Sequence, residues 1–254
     1  MAFESFRKFL SHLDDAGELR RIGILAATEL EITEIANREM KKPAGGKALL
    51  FEKPAVNGKS TDIPLAINTY GSQKRMAMAL GVDSVEDAAD ELGQLLKAKP
   101  PTSLGDTCKL LSTALNLRHA RPKSVGDGPC KDVIHKFEDN EPATSEADLS
   151  TLLNLPVQQC WPQDAGRFIT LPCVVTQDPD SKDRNLGMYR MQVFDGKTTA
   201  LHWQIQKVAA RHGKSYFEKG ERMPVSVFLG GDPVYAFCAS APLPDGLDEL
   251  LLAG

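Results

Sequence analysis

The sequence predicts a mixed α+β or α/β protein in which a layered α/β unit precedes a unit built mostly from antiparallel strands. Helical and strand-like patterns alternate over residues 1–98, which is typical of layered α/β architecture. From Cys160 onward, short strand-like runs separated by turn signals dominate, with one helix among them, as in an antiparallel sheet or barrel. Residues 99–155 are punctuated by prolines and glycines and are interpreted as a connecting segment, so the second unit spans 156–254.

Composition narrows the class of protein. The 254 residues, 42% hydrophobic and 25% charged, suit a globular chain of one large or two ordinary domains. A net charge of −4 is opposite to the basic excess of nucleic-acid binders, so no nucleic-acid partner is expected. Five scattered cysteines without a C-x-x-C pair, no secretory leader pattern and no bilayer-length apolar run predict a cytoplasmic protein without a membrane span.

In the first unit, helical spacing of apolar residues alternates with short apolar runs. Thr28 and Glu31 have the spacing of a capping box, and they predict a helix with Ile32, Ile35, Ala36 and Met40 turned inward. Ser72 and Ser84 are predicted N-caps of two further helices. The predicted elements, in order, are a helix over 6–13 ended by Gly17, a strand over 19–25, the helix after Thr28, strands over 48–51 and 63–68, and the two capped helices.

In the second unit, the pattern predicts strands over 168–176, 187–194 and 198–204. Asp195-Gly196 between the last two is a strong hairpin signal. A helix follows over 208–219, and 223–229 with 234–239 is interpreted as another strand pair around Gly230-Gly231.

An amide and a guanidinium occur close together in an apolar strand-like run, at Asn185 and Arg190. Polar side chains taken out of water need partners, so one interpretation places Asn185 on a cation and Arg190 beside a negative group. Residues five apart on a strand face opposite ways, unless Gly187 introduces a bulge. The alternative is a surface strand on which Arg190 pairs with Asp183 or Asp195.

Two further segments have both a functional and a plain interpretation. In His202-Trp203-Gln204-Ile205-Gln206-Lys207, the tryptophan can form a wall for a flat ring and the lysine can hold a phosphate; the alternative is a core tryptophan with solvated neighbours. Glu249 can be a hard oxygen ligand for a divalent ion. Its alternative role is an acidic residue in the first turn of a helix, where the helix dipole favours it.

Thirteen short motifs, taken together in order, resemble the UbiD-type decarboxylases. They include Gly187-Met188-Tyr189-Arg190, His202-Trp203-Gln204 and Gly230-Gly231-Asp232-Pro233, and they run from the first helix almost to the last residues. Each motif alone is weak, and their common order makes the resemblance specific. The others lie at 6–10, 17–22, 49–52, 67–72, 161–162, 164–166, 168–172, 178–179, 221–225 and 241–244.

The resemblance implies a fold, a cofactor and a reaction. The fold is an N-terminal α/β domain followed by a split β-barrel of the flavin-reductase type, and the cofactor is prenylated FMN held with Mn²⁺ and K⁺. The reaction is reversible, non-oxidative decarboxylation of an aromatic or α,β-unsaturated acid, such as a hydroxybenzoate-type quinone precursor. The cofactor is the electron sink, and Arg190 belongs to the catalytic group.

The resemblance also implies which residues form the site. The residues that match cofactor contacts are Asn185, Met188, Tyr189, Arg190, His202, Trp203, Gln204, Lys207 and Pro242. Those that match metal ligands are Asn185, Gln206 and Glu249, of which Gln206 stands where the family commonly has histidine. An amide oxygen is a weaker ligand than imidazole for a transition ion, which puts metal affinity in question.

The second departure from the family is length. Family members are roughly twice as long, and their proton-donor segment and oligomerising domain correspond to positions after Gly254. The sequence therefore predicts a cofactor-binding half that is inactive alone. A flavin prenyltransferase is the expected supplier of its cofactor, and the chain is expected to assemble as a homo-oligomer or with a C-terminal half. Two alternatives stay open: a flavin reductase-like barrel using ordinary flavin, and a non-catalytic cofactor-binding module.

Overall fold

The computed structural model describes residues 3–96, 122–134, 136, 152–243 and 247–254; most of the predicted connecting segment lies outside these ranges. The helices are α1 (Phe6–Asp15), α2 (Glu31–Met40), α3 (Gln73–Leu80), α4 (Val85–Leu96), α5 (Val208–Glu218), α6 (Val234–Cys238) and α7 (Glu249–Ala253). The strands are β1 (Leu19–Ala27), β2 (Ala48–Val56), β3 (Lys59–Ser60), β4 (Leu65–Ile67), β5 (Arg167–Ile169), β6 (Cys173–Gln177), β7 (Arg184–Met188), β8 (Met191–Val193), β9 (Thr199–Leu201) and β10 (Ser226–Phe228). None of the described helices is both long and apolar enough to cross a bilayer.

The first unit is a four-stranded sheet with helices on both faces, as the alternation of elements predicted. Strand β1 pairs in parallel with β2, and β3 and β4 pair with β2 in antiparallel fashion. Successive residues of β2 point to opposite faces. Leu49 and Phe51 pack in a cluster with α2, whereas Ala48 and Leu50 pack with α1 and α3. The central strand is thus buried on both faces and holds the three layers together.

The predicted capping box at the start of α2 is wrong, although the helix itself is confirmed. Thr28 is fully buried and donates its hydroxyl to the Ala55 carbonyl at 3.0 Å, which ties β1 to β2. Glu31 accepts instead from the Ala27 amide at 2.6 Å. Met40, predicted to face inward, is 49% exposed because the helix ends there. The Thr28 hydroxyl therefore makes a tertiary hydrogen bond to β2 instead of capping the helix as the local pattern predicted.

The second unit contains two antiparallel sheets of three strands, in the orders β10-β6-β7 and β5-β8-β9. The single strand predicted over 168–176 is wrong: it is broken after Ile169 into β5 and β6, which belong to different sheets. Pro172 lies in the break, where a residue without an N–H cannot continue a central ladder. Among the described residues neither sheet closes on itself, so the split barrel stays a prediction.

The predicted strand over 187–194 is likewise two strands, β7 and β8, separated by Tyr189 and Arg190. The hairpin at Asp195 is confirmed: its carboxylate accepts from the Thr198 amide at 2.7 Å, and β8 pairs with β9 across the turn. Asn185 consequently lies on β7 and Arg190 in the break between the two sheets, so the face-alternation argument that joined them does not apply.

The strand predicted over 234–239 is wrong, because this segment forms α6. Asp232 is 3% exposed, and its carboxylate accepts from the Val234 amide at 3.0 Å, which turns the chain into a helical course. The other oxygen of Asp232 accepts from the Phe3 amide at 3.0 Å, which links this turn to the start of the chain. Aromatic and β-branched residues favour strands locally, and these contacts override that preference.

Candidate functional site

The open edge of β7 is covered by α6 and α7, and this brings two predicted ligands to the same place. The amide of Leu186 donates to the Glu249 carboxylate at 2.8 Å, and the amide of Met188 donates to the Ala239 carbonyl at 3.0 Å. Asn185, the residue bonded to Leu186, is 3% exposed. Asn185 and Glu249 are 64 positions apart in the sequence, and the fold makes them neighbours.

Glu249 is the first residue of α7, where the helix dipole favours a negative charge. Burial raises the pKa of its carboxyl above the ordinary value, and the Leu186 amide opposes that shift. Asp248, the N-cap of α7, accepts from the Leu250 amide at 2.9 Å and pairs with Arg184 at the start of β7. The helix end that carries Glu249 is therefore fixed to the strand that carries Asn185. The first-turn interpretation of Glu249 is confirmed, and its role as a metal ligand stays a prediction.

Tyr189 folds back over its own strand. Its hydroxyl accepts from the Asn185 amide nitrogen at 3.3 Å, and its ring lies where a β-carbon on Gly187 would come within 2.4 Å. Its edge meets the Trp203 ring, with 6.4 Å between centroids. The indole nitrogen of Trp203 is buried and has no acceptor among the described residues. These residues form an inner group of Asn185, Tyr189, Trp203 and Glu249 along β7.

Arg190 lies at the turn between the two sheets with its side chain exposed. The guanidinium carbon is 5.2 Å from the centre of the Phe168 ring, a cation–π arrangement. Its carbonyl accepts from the His202 amide at 3.1 Å, which places the start of the 202–207 segment beside it. The alternative in which Arg190 pairs with Asp183 or Asp195 is not observed in the described part of the chain. The guanidinium is instead open to a ligand.

Five of the remaining predicted residues form an exposed outer group: His202, Gln204, Gln206, Lys207 and Pro242. The side-chain nitrogen Nε2 of Gln206 donates to the side-chain oxygen Oε1 of Gln204 at 2.9 Å, which leaves the side-chain oxygen of Gln206 available as an acceptor. Met188, the last predicted contact, is half-buried on β7. The structure thus places all of the predicted residues at β7, at its turn into β8, or in the segments beside them, with the inner group packed and the outer group in solvent.

His212, a residue of α5, is buried beneath this site. Its Nδ1 lies 3.0 Å from the Thr176 hydroxyl, and Thr176 is the register partner of Asn185. Burial lowers the pKa of His212, while Asp178 acts in the opposite direction. The sequence around a single histidine on a helix does not indicate a buried contact with Thr176, because that contact depends on how α5 crosses β6.

Two cavities of the described chain lie away from the inner group. One, of about 710 Å³, is lined by charged residues of the first unit, among them Glu18, Lys42 and Lys74. The other, of about 940 Å³, lies between the units and reaches Phe168, beneath Arg190. Within the described ranges no three His, Cys, Asp or Glu side chains are grouped to hold a metal ion. A cation at the predicted site depends on amide oxygens as well as on Glu249.

Two family models match the chain. Residues 10–96 match the N-terminal domain of the 3-octaprenyl-4-hydroxybenzoate carboxy-lyases, and residues 126–254, more than half of the chain, match their Rift-related domain. An uncharacterized protein of Archaeoglobus fulgidus is 42% identical over 255 residues, which cover all of this chain and 49% of that protein. A second, from Aquifex aeolicus, is 39% identical over 252 residues, or 49% of its length.

Solved structures show the same fold. Vanillic acid decarboxylase of Sedimentibacter hydroxybenzoicus in its closed form has a TM-score of 0.73 at 23% identity, over 99% of this chain and 49% of that one. An evolved dimeric form of the UbiD-class enzyme HmfF from Pelotomaculum thermopropionicum, in complex with prenylated FMN, has a TM-score of 0.73 at 22% identity, over 99% of this chain and 50% of that one. The resemblance seen in the sequence is confirmed: this chain belongs to the UbiD family of carboxy-lyases and spans about half the length of the relatives it matches.

Proposed function

We propose that this chain is the cofactor-binding half of a UbiD-type decarboxylase, which binds prenylated FMN and acts on an aromatic or α,β-unsaturated carboxylic acid when the rest of the enzyme is present. The proposal is supported by the inner group, which lies along β7 of this chain, together with the chain's membership of the UbiD family. Asn185 is buried beside Tyr189, and the Glu249 carboxylate is 2.8 Å from the next amide along the strand.

The inner group fits a ligand with acceptor atoms and a cation. The buried indole nitrogen of Trp203 is a donor without an acceptor among the described residues, a state that costs free energy unless a ligand supplies one. Glu249 has a carboxyl whose ionised form is penalised by burial, and a bound cation offsets that penalty. The residues present therefore suit a phosphate-bearing ring held through a shared metal ion.

The donor atoms indicate which metal would be held. The amide nitrogen of Asn185 is bonded to Tyr189, so the amide oxygen is the atom that remains for an ion, together with the Glu249 carboxylate and the Gln206 carbonyl oxygen. Hard oxygen ligands suit Mn²⁺ and K⁺. With Gln206 the set contains no imidazole, so we expect a preference for hard ions over softer transition metals.

Prenylated FMN, when bound, supplies the electron sink for loss of carbon dioxide. The residues of this chain orient the reactants. Arg190 presents its guanidinium beside Phe168 and holds the substrate carboxylate by charge-assisted hydrogen bonds. Lys207 and His202 lie exposed on the adjoining segment, where they can contact the phosphate and the ring. The proton returned to the product is proposed to come from the proton-donor segment of the family.

We extend the proposal to the fold and the supply of cofactor. Units 1–98 and 156–254 are taken as separate domains, the second being a split barrel. A flavin prenyltransferase would supply the cofactor, and a hydroxybenzoate-type quinone precursor is the favoured substrate. The working enzyme would be an oligomer.

Cofactor binding is tested by purifying the chain after co-expression with a flavin prenyltransferase, with Mn²⁺ and K⁺ present. We expect a flavin absorbance that remains through gel filtration and falls when the metal is chelated. A colourless protein under these conditions contradicts the proposal.

The role of Arg190 is tested by the substitution Arg190→Ala, assayed when the rest of the enzyme is present. Because this side chain is exposed and its contact with Phe168 is worth only about 0.5–1 kcal/mol, the fold should be nearly as stable as the wild type. Decarboxylation should be lost, by about a hundredfold or more, since the substrate carboxylate has no cation to hold it. Undiminished turnover with normal flavin content removes Arg190 from the mechanism.

A further inference from the structure

The cavity of about 710 Å³ in the first unit carries a local excess of positive charge. It is bordered by the loop after α2 and by the loop before α3, and two carboxylates line it, Glu18 and Glu39. The cations that line it are Arg20, Lys42, Lys47 and Lys74. Four cations against two carboxylates leave a formal charge of +2 at this surface, in a chain whose net charge is −4.

Glu39 brings two of the lysines together. It is 5% exposed, and it accepts from the Lys42 ammonium at 2.7 Å and from the backbone amide of Lys47 at 3.0 Å. The Lys42 ammonium, helped by that amide, holds the pKa of the Glu39 carboxyl below its ordinary value. Arg20 lies 3.5 Å from the same carboxylate. The Lys47 side chain, by contrast, is exposed and has no carboxylate partner among the described residues, so its ammonium is available to a ligand.

The other carboxylate connects the third lysine to the same loop. Lys74 donates to Glu18 at 2.8 Å, and this bond holds the pKa of the carboxyl below its ordinary value. Arg75, which is fully buried, donates to the second oxygen of Glu18 at 3.2 Å and also to the Gly46 carbonyl at 2.6 Å. The partner of Lys74 is thereby fixed beside the loop that carries Lys47, and the Arg75 guanidinium adds a further positive charge behind the cavity.

The backbone acceptors of that loop are occupied from the protein side. Asn68 donates to the first and third carbonyls of residues 45–47, both at 2.9 Å, and Arg75 donates to the middle one. Carbonyl oxygens directed at an anion would repel it, so their engagement with inner donors favours an anion in the cavity. The two loops also lie in close contact, since a β-carbon on Gly45 would come within 2.0 Å of the Gly71 carbonyl oxygen. The wall is therefore preformed as well as basic.

We propose that this cavity binds an organic phosphate monoester, whose dianion is held by Lys42, Lys47 and Lys74 and whose organic part lies over Pro43 and Ala44. A phosphate monoester has a charge of about −2 at neutral pH, which matches the local excess. An ammonium has three donors, and the ion pairs of the first and third lysines use one each. The volume lies in the range of small-molecule sites, about 300–1,000 Å³, and leaves room for more than a phosphate group. This site is distinct from the inner group, so it adds to the function proposed above without depending on it.

The ligand class is tested by isothermal titration calorimetry of the whole chain, free of flavin, with phenyl phosphate at pH 8. We expect saturable binding that weakens as sodium chloride is added. Phenyl sulfate has nearly the same shape but a single negative charge, and it should bind about tenfold more weakly or less. Inorganic phosphate keeps the dianion and lacks the ring, so it should also bind more weakly. No binding of phenyl phosphate, or equal affinity for either comparison ligand, overturns the proposal.

The position of the site is tested by Lys47→Gln, which should weaken phenyl phosphate binding about tenfold or more by removing a charge-assisted hydrogen bond. Its melting temperature should equal that of the wild type, because the side chain is exposed and makes no ion pair within the described chain. Lys59→Gln is the matched control, at an exposed lysine of β3 outside the cavity, and should bind as the wild type does. Unchanged affinity of Lys47→Gln overturns the proposal.

A third variant separates this cavity from the proposed flavin site. Lys207→Gln removes the lysine proposed to contact the cofactor phosphate and should leave phenyl phosphate binding unchanged. Affinity that falls with Lys207→Gln and not with Lys47→Gln places the ligand in the second unit and overturns the proposal. Because flavin is absent from these titrations, phenyl phosphate binding can fail while flavin binding succeeds, and the reverse.

Discussion

At the scale of single residues, the site depends on a close approach that only glycine permits. Gly187 leaves space for the Tyr189 ring, whose hydroxyl then reaches Asn185 and whose edge meets Trp203. Because Gly187 has no β-carbon, the Tyr189 ring can lie against the strand, and this position brings together three predicted contact residues: Asn185, Tyr189 and Trp203. From the sequence, Gly187 was a candidate bulge; the structure gives it a packing role instead.

Gly187→Ala should displace the tyrosine ring, because the added β-carbon would lie 2.4 Å from it. We expect a loss of about 1–3 kcal/mol in the free energy of unfolding, as for other overpacked sites, and weaker flavin binding. Urea titration gives the first quantity and flavin titration the second.

Gly93→Ala is the matched control, because no atom lies within 4 Å of its added β-carbon and the residue is inside α4. This control should be neutral or slightly stabilising. Equal stability of Gly187→Ala and the wild type would show that Tyr189 moves without cost.

Burial of Glu249 couples the stability of the chain to pH, and its proposed role as a ligand would couple that stability to metal. Burial raises its pKa, so its contribution to folding is full below the ordinary carboxyl value and is lost as pH rises through the raised value. At pH 7.5 without metal, Glu249→Gln should therefore melt slightly above the wild type, by about 2 °C or less because the group is only half-buried.

Added Mn²⁺ should reverse that order, raising the melting temperature of the wild type and leaving Glu249→Gln unchanged, because an ion that binds only the folded state stabilises it. Glu4→Gln, at an exposed carboxylate, is the control and should follow the wild type in both conditions. Equal Mn²⁺ stabilisation of Glu249→Gln would exclude Glu249 as a ligand.

At the scale of elements, breaks in the strands determine where side chains meet. The chain leaves one sheet at Pro172 and again at Tyr189 and Arg190, so that short strands from two sheets approach each other. The second break brings Arg190 over Phe168 of β5. Phe168 belongs to one sheet and Asn185, on β7, to the other. An unbroken ladder would have kept Arg190 in line with β7 and away from Phe168.

In the first unit, Arg75 holds α3 to the loop before β2. It is fully buried, donates to the Gly46 carbonyl at 2.6 Å and pairs with Glu18 at 3.2 Å. Arg75→Met should cost about 3 kcal/mol, because a buried carbonyl and a carboxylate lose their donor together.

Lys74→Met provides the comparison, since Lys74 pairs with the same carboxylate at 2.8 Å but is 60% exposed. Its removal should cost less than about 1 kcal/mol. Chemical denaturation of both variants measures the difference, and equal losses would contradict a special role for the buried guanidinium.

At the scale of the whole molecule, most of the predicted contact residues in the 202–207 segment are exposed. His202, Gln204, Gln206 and Lys207 lie in solvent, and Ile205 among them is 91% exposed. Charge-assisted contacts are strongest where water is excluded, so the ligand contacts proposed for these residues should strengthen when the segment is covered.

The sequence by itself determined the layered α/β order of the first unit, most helices, the hairpin at Asp195 and, through its ordered motifs, the family. These follow from short-range patterns: the continuous apolar run that opens β2, caps at Ser72 and Ser84, and turn chemistry. The motifs also located Asn185, Arg190 and Glu249 as candidates, without their spatial relation.

Only the tertiary structure decided that Thr28 bonds to β2 and not to α2, that 234–239 is helical, and that Glu249 reaches the amide beside Asn185. Each of these outcomes depends on a contact between residues far apart in the chain. The free energy of such a contact can exceed the small local preferences of about 1 kcal/mol or less that a sequence pattern expresses.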